Sequence, residues 1–405
     1  MTTRFGIDAL LDAPDQLARL QQQRVALVAH PASVTQGQQH SLDALFAAGI
    51  SIERAFGPQH GMRGDKQDNM IESEDYLDPD HGIPVISLYG EHRFPTPAML
   101  AGLDVVLFDL QDVGCRIYTY ITTLHYFMQA CAAADVQLWV LDRPNPAGRP
   151  IDGLRLEAGQ ESFVGCDTLP TRHGLTVGEL AQWLLPRHTP NLQLSIIKMQ
   201  DYHPELAPGY GWPLHQRPWV NPSPNASSLN MSRCFAGTVL LEGTELSEGR
   251  GTTVPLELIG APNFPAQTVL THLQQQQPDW LAGAFLRPCY FSPTFHKHQG
   301  LLCEGIQIHT DFSGYDHHAF KPYRLIAGLL KSLRQLRPDY ALWRQHEYEY
   351  ELDRMPIDVI NGGDFLRRWV DDPAAEFGDL DSHLQREQTQ WQQERAPFLL
   401  YDSAL

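Results

Sequence analysis

Basic charge is scarce in this chain: 30 lysines and arginines stand against 48 aspartates and glutamates, a formal net charge of −18 at pH 7. With no cationic excess to displace counterions from phosphates, nucleic acid is excluded as a partner, and an anionic membrane surface is equally ill-matched. Long apolar runs are missing as well. No segment approaches the roughly 18 residues that cross a bilayer, and the opening MTTRFGIDALLDAPDQL holds no uninterrupted apolar stretch after a basic start, so a cytoplasmic protein is expected. Cysteines number six: Cys115, Cys131, Cys166, Cys234, Cys289 and Cys303. They form no CxxC pair and no compact framework, which suits buried, reduced thiols. Signatures for bound groups are absent too: neither GxGxxG nor GxxxxGK(S/T) occurs, and no HExxH fixes a metal. No cofactor and no metal is therefore expected, and nothing in the sequence speaks to oligomeric state. Internal repeats are lacking, and the QQQQ at Gln274–Gln277 reads as a solvated helix face.

What the chain does have is bulk and alternation. Its 405 residues, 42% hydrophobic, exceed what a single core usually serves, which argues for two domains. In the first half, apolar runs of strand length occur at Val25–Ala29, Ser51–Phe56, Pro84–Leu88, Val105–Asp109, Gln137–Leu141 and Leu192–Lys198. Between them, Ser41–Ala48, Ala98–Gly102, Tyr118–Ala134 and Thr176–Leu185 carry apolar residues at helical spacing. Thr176 with Glu179 three residues on is a capping-box signature. Such alternation predicts an α/β fold built on a doubly wound, mainly parallel sheet. From Tyr202 to Ser228, proline, glycine and aromatic residues crowd out any period. Residues 202–228 therefore read as a long ordered connecting loop that closes a first domain, 1–228. Residues 229–405 form a second, auxiliary α+β domain, with strands expected at Thr238–Leu241 and Leu302–His309 and helices at Tyr323–Leu336 and Gly363–Trp369.

In open α/β sheets ligands bind beyond the carboxyl ends of the strands, and here each such end is polar. His30 follows the first strand; Gln59, His60 and Arg63 lie in GPQHGMRGDKQD (Gly57–Asp68); Glu91 lies in SLYGEHR. Asp109, Gln111, Asp112, Arg116, Tyr118 and Tyr120 follow in DLQDVGCRIYTY, and Asp142, Arg143 and Asn145 in LDRPNPAGRP. Turn propensity accounts for single glycines, asparagines or aspartates, not for arginine, histidine, glutamine and tyrosine gathered at successive loops. A site at the strand ends follows. The bland alternatives are an Asp142-Arg143 local ion pair and turn chemistry at Asn145-Pro146 with Gly148. In the second domain, LEGTELSEGRGTTVPLELIGAP (Leu241–Pro262) sets Glu242, Glu245, Glu248 and Arg250 among glycines, a loop able to reach across a cleft. Tyr210, Trp212 and Trp219 suit either stacking on a sugar ring or core packing, and His296, His298, His317 and His318 read as surface histidines.

The same stretches carry a resemblance. GPQHGMRGDKQ, GIPVISLYG, DVVLFDLQDVGCRIYTYITT, LDRPNPAGR, FVGCDTLPTRHGLTVGELA, NPSPN, EGTELSEGRGTT and FSPTFHKHQGLLCEGIQIH occur in this order over nearly the whole chain. Together they resemble the NamZ-type exo-β-N-acetylmuramidases. The resemblance implies a Rossmann-like first domain without a nucleotide, an auxiliary second domain, and an active site in the cleft between them. It also implies hydrolytic removal of N-acetylmuramic acid from the non-reducing end of peptidoglycan fragments, with a muropeptide or amino-sugar glycoside as substrate. One position departs. Many members read PEHG, that glutamate being the favoured catalytic acid, where this chain has Pro58-Gln59-His60-Gly61. An amide cannot donate the proton, and glycoside hydrolysis asks for two carboxyl groups. Another carboxyl is expected to serve: Glu91 first, because it follows a strand directly, then Glu72, Asp109, Asp112 and Glu248. Gln59 would position the substrate, for instance its 2-acetamido group, while Arg63, Arg116, Tyr118 and Tyr120 hold the sugar and an arginine fork meets the lactyl carboxylate. Two other readings stand beside this one: a metal-dependent hydrolase with His60, Asp109, Asp112 and Asp142 as ligands, and a non-catalytic amino-sugar-binding protein.

Overall fold

The computed structural model describes residues 2–64 and 72–401; Asp65–Asp68, the end of the second strand-end loop, and residues 402–405 lie outside the described residues. Among the described residues of the first half, nine strands form: β1 (Val25–Val28), β2 (Ile52–Gly57), β3 (Tyr76–Leu77), β4 (Pro84–Ser87), β5 (Val105–Phe108), β6 (Gln137–Leu141), β7 (Asp152–Arg155), β8 (Pro170–Arg172) and β9 (Leu194–Ile197). Seven of them build one sheet in the order β3-β4-β2-β1-β5-β6-β9, parallel throughout except for β3 on β4. β7 and β8 pair separately.

The sheet forms where the apolar runs predict it, and the period of two explains how. Ala26 and Val28 of β1 and Val106 and Phe108 of β5 share a core with Leu124, Phe127 and Met128 of the helix Tyr120–Ala134. Their alternates, Val25, Leu27, Val105 and Leu107, share the opposite core with Leu42 and Leu45 of the helix Ser41–Ala47. A strand covered on both faces tolerates no polar residue, hence the unbroken VALV and VVLF. The capping box also forms: Thr176 Oγ1 accepts the Glu179 N–H at 3.2 Å, and Glu179 Oε2 accepts the Thr176 N–H at 2.9 Å. The chain runs outward from β1 to β2 and β4, then returns to place β5 on the other side of β1. The topological switch point is therefore between β1 and β5.

The second domain holds a small antiparallel sheet of β10 (Leu258–Ala261), β11 (Phe285–Phe291) and β12 (Cys303–His309), in the order β10-β12-β11. The helix Pro322–Leu336 packs on the helix Leu229–Thr238 so closely that a Cβ on Gly237 would sit 2.0 Å from the Pro322 carbonyl oxygen. The strand expected at Thr238–Leu241 is instead the end of that first helix and a 3-10 turn, Val239–Gly243. A short, wholly buried apolar run does not distinguish strand from helix, and Ser228 starts a helix upstream by accepting the Met231 N–H at 2.9 Å. The helix expected from Gly363 begins at Phe365, because Gly362 and Gly363 both take positive φ. The last helix, Phe377–Arg395, returns to the first domain: Trp391 meets Trp183 edge to face at 5.2 Å, and Arg395 donates to the carbonyls of Arg149 and His173. No helix among the described residues is long and apolar enough to cross a membrane.

Candidate active site

At the switch point the polar row closes on itself. Asp109 is fully buried and accepts Arg143 Nε at 2.6 Å on Oδ1, Arg143 Nη2 at 2.9 Å on Oδ2, and the Ser41 hydroxyl. His30 Nε2 accepts the Gln111 N–H at 2.8 Å; burial, then the Arg143 charge, push the ring down to about 3, so it is neutral. Gln111 donates its amide to the Asp112 and Pro144 carbonyls, both at 2.8 Å. Asp142 accepts Thr176 Oγ1 and the Gly178 N–H at 2.8 Å and Tyr401 Oη at 2.6 Å, an acidic partner at the start of the helix Val177–His188. Burial nevertheless raises Asp142 to about 6. Asn145 shapes its turn, Oδ1 accepting the Ala147 N–H at 2.9 Å. These six side chains were expected to act on substrate. The structure engages all six in internal hydrogen bonds, which offset the cost of burying charges and amides, although Gln111 Oε1 is buried without a partner among the described residues.

Other expected residues are held by the protein or lie exposed. Arg116 clamps the Ile360 and Asn361 carbonyls at 3.2 and 2.8 Å. Asp112 accepts the Gly114 N–H at 2.6 Å, and burial raises it to about 7. Glu248 is enclosed by Lys297 at 2.8 Å, Arg250 at 3.1 Å and His296 at 3.3 Å; burial works against its charge, but the Lys297 charge, the His296 hydrogen bond and the Arg250 charge hold it well below the usual carboxylate range. Glu91, the first candidate acid, has a side chain 90% exposed beside His92, and Glu72 and Arg63 are exposed too. Trp212 packs on Phe5 and Trp219 in the core, and Tyr210 stacks on His317, which is buried rather than at the surface as expected. Among the described residues no three His, Cys, Asp or Glu side chains converge as metal ligands, which removes the ligand set His60, Asp109, Asp112 and Asp142.

Polar groups that do converge line a narrow cavity between the domains, about 40 Å³. Gln59 and His60 come from the turn after β2; Tyr118, Thr119 and Tyr120 open the helix Tyr120–Ala134; Ser223 and Asn225 come from the connecting loop; Glu242, Arg250, Tyr348 and Glu349 come from the second domain. Gln59 joins the two walls. Its Oε1 accepts Thr119 Oγ1 at 2.8 Å, and its Nε2 donates to Glu349 Oε1 at 3.0 Å. Tyr89 Oη donates to Glu349 Oε2 at 2.9 Å. Glu242 accepts Arg250 Nη2 at 2.6 Å and Tyr348 Oη at 2.7 Å. Burial raises Glu349 most; the Tyr89 and Gln59 donors pull it back, the Glu242 charge adds to the rise, the Arg93 charge lowers it, and the net direction is up. Tyr118 lies edge to face with Tyr120 at 4.7 Å and with Phe235 at 5.7 Å, making one wall aromatic. A wider, more open hollow of about 850 Å³ lies by Tyr210 and Tyr315. Its buried polar groups bond within the protein, Arg233 to the Thr310 and Gly209 carbonyls and Glu257 to Ser228 and Asn230.

Residues 25–230 match the N-terminal domain of exo-β-N-acetylmuramidase NamZ, and residues 233–401 match its C-terminal domain. The chain belongs to the NamZ family. It is 35% identical over 398 residues to the peptidoglycan β-N-acetylmuramidase NamZ of Bacillus subtilis (strain 168), covering 98% of this chain and 91% of that protein. A solved structure of a DUF1343 family protein from Bacteroides fragilis NCTC 9343 is similar with a TM-score of 0.84 at 27% identity, over 99% of both chains. A second from the same organism, at 0.77 and 24% identity over the whole of both chains, has the same fold. As a member of the NamZ family, this chain is a glycosidase homologue. Of the family's stretches quoted from the sequence, those holding Gln59, His60, Tyr118, Tyr120, Glu242 and Arg250 meet at the cavity. Tyr348 and Glu349 were not anticipated. They sit in EYEYE (Glu347–Glu351), where acids alternating with tyrosines resemble a solvated edge, and the one local clue was that alternation.

Proposed function

We propose that this protein hydrolyses the non-reducing terminal N-acetylmuramic acid, or a closely related amino sugar, from peptidoglycan fragments in the cavity between its domains. The observation that carries the reading is the pair of buried carboxyls, Glu242 and Glu349, on the wall of one cavity. Glycoside hydrolysis uses two carboxyl groups about the scissile bond. The rest of the lining suits the sugar. Arg250 is the only guanidinium on the described walls, and its positive charge, although already paired with Glu242 and Glu248, suits a lactyl carboxylate. The Gln59 and Asn225 amides suit an acetamido group, and the Tyr118 and Tyr120 rings suit the apolar face of a pyranose. The division into a catalytic domain ending near residue 228 and an auxiliary domain after it belongs to the same reading. So does a cytoplasmic role in processing imported fragments, supported by six free cysteines, five of them buried.

A chromogenic N-acetylmuramide should be cleaved without added metal, with the matching N-acetylglucosaminide left intact. Binding of muropeptides without turnover on either would replace hydrolysis by sugar binding. Chelator-sensitive turnover restored by zinc or manganese would replace it by a metal-dependent reaction. Recovery of the protein from a periplasmic fraction would remove the cytoplasmic role.

A further inference from the structure

The two carboxyls on the cavity wall are held differently. Glu242 is bound by a cation, Arg250, as well as by the Tyr348 phenol. Glu349 forms no ion pair among the described residues; the groups bonded to it are neutral, the Gln59 amide at 3.0 Å and the Tyr89 phenol at 2.9 Å. It is 4% exposed and sits on two consecutive left-handed residues, Glu349 at φ 46° and Tyr350 at φ 69°. That conformation costs an L-residue energy and persists where the surroundings enforce it, most often at functional sites. Here the Arg93 guanidinium lies 3.1 Å from the centre of the Tyr350 ring, and Tyr89 meets the same ring edge to face.

We propose that Glu349 is the catalytic acid of this chain, the carboxyl that protonates the glycosidic oxygen, with Gln59 and Tyr89 as its positioning residues. This rests on the glycosidase reading above. The hydrogen bonds fit a protonated group. Oε1 acts as the carbonyl and accepts from Gln59, whose own carbonyl is taken by Thr119 at 2.8 Å, so the amide presents its NH2 to Glu349. Oε2 carries the proton and still has a lone pair for Tyr89. Burial and the Glu242 charge favour that protonated form and outweigh the Tyr89 and Gln59 donors and the Arg93 charge, which favour the carboxylate; a proton donor working near neutral pH requires that balance.

In the step, the Oε2–H bond breaks and an O–H bond forms on the glycosidic oxygen. The C1–O bond breaks with its electron pair kept by that oxygen, and the sugar alcohol leaves neutral. Water then adds to C1 through its oxygen and gives its proton to the Glu349 carboxylate, which regenerates the acid. Gln59 and Tyr89 donate to the carboxylate in the interval.

The test compares two substrates on the full chain: a 4-nitrophenyl N-acetylmuramide, whose leaving group needs little protonation, and an N-acetylmuramyl-N-acetylglucosamine disaccharide, whose leaving group needs it fully. Glu349→Gln should lower kcat/KM on the disaccharide by about 10² to 10⁴-fold but on the nitrophenyl glycoside by less than about tenfold. It should also erase the alkaline limb of the pH profile, since activity falls as pH rises through the acid's pKa. Tyr89→Phe removes a donor that favours the carboxylate, so it should move that limb to higher pH, and Glu349→Asp should recover part of the disaccharide turnover. Equal losses on both substrates with the limb in place, or an unmoved limb in Tyr89→Phe, overturn the proposal. If Glu349→Gln fails to fold by circular dichroism, the Tyr89→Phe limb decides. Wild-type chain that cleaves neither substrate removes the glycosidase reading and this role together. Wild-type chain that cleaves both, with Glu349→Gln doing the same, leaves that reading standing and removes only the role of Glu349.

Discussion

Asp109 at the switch point and Glu349 on the wall of the cavity between the domains are both buried carboxyls, yet their partners are opposite in kind. Asp109 is met by the Arg143 fork and the Ser41 hydroxyl, so it stays buried with its lone pairs spent. Glu349 is hydrogen-bonded to an amide and a phenol, and burial tips it toward the protonated form, with the Glu242 charge raising it and the Arg93 charge lowering it. A buried carboxyl met by a cation keeps its charge at lower cost, whereas one met only by neutral donors is pushed toward its protonated form; Glu242 on the cavity wall belongs with the first kind, and Asp142 at the strand ends with the second. Asp112 is also of the second kind. Burial raises it to about 7, but it lies off the cavity wall. The crevice that the fold would offer at β1 and β5 is filled by the protein's own side chains, and the open space has moved to the domain boundary.

Arg143→Ala attacks this contrast hardest. It leaves Asp109 buried without its cation and should cost about 3 to 5 kcal/mol in urea unfolding; a stable variant that has lost only turnover would make the switch point the site after all. Asp112→Asn tests the second kind of carboxyl. Its folded pKa of about 7 lies above the ordinary 3.8, so the folded state holds the extra proton between those values and stability falls as pH rises through them. The variant should gain on the order of 2 to 4 kcal/mol at pH 8 and nothing at pH 4, read from chemical denaturation at both. Gln59→Glu sets two carboxyls against each other where an amide and a carboxyl now lie 3.0 Å apart. The pair should share one proton, so the variant should match the wild type near pH 4 and lose about 1 to 3 kcal/mol at pH 8; equal stability at both would mean the walls part freely. Glu91→Gln should do least, changing stability by less than about 0.5 kcal/mol and turnover by less than about twofold. A larger loss of turnover would return Glu91 to the active site.

Much of the fold was legible because its causes are local. VALV and VVLF are apolar throughout because both faces of β1 and β5 are covered, and the Thr176-Glu179 box fixes the start of its helix within one turn. The second domain was less so. β10, with a glycine, and β11, with Pro288 and mostly exposed or half-exposed residues, offer no clear period, and TVLL at the end of a helix reads equally well as a strand. For the site, Gln59, His60, Tyr118, Tyr120, Glu242 and Arg250 were named from residue type and loop position, and all line the cavity. The same reasoning also named Asp109, Asp142 and Arg143, which have the right chemistry and the wrong surroundings.

The sequence by itself determined the sheet, most of its helices and the loops that carry reactive side chains, since burial period, caps and turns are written within windows of a few residues. Only the tertiary structure decided which of those side chains satisfy one another and which face open space. Gln59 and Glu349 lie 290 positions apart, and no local pattern records that the packing of two domains makes them partners.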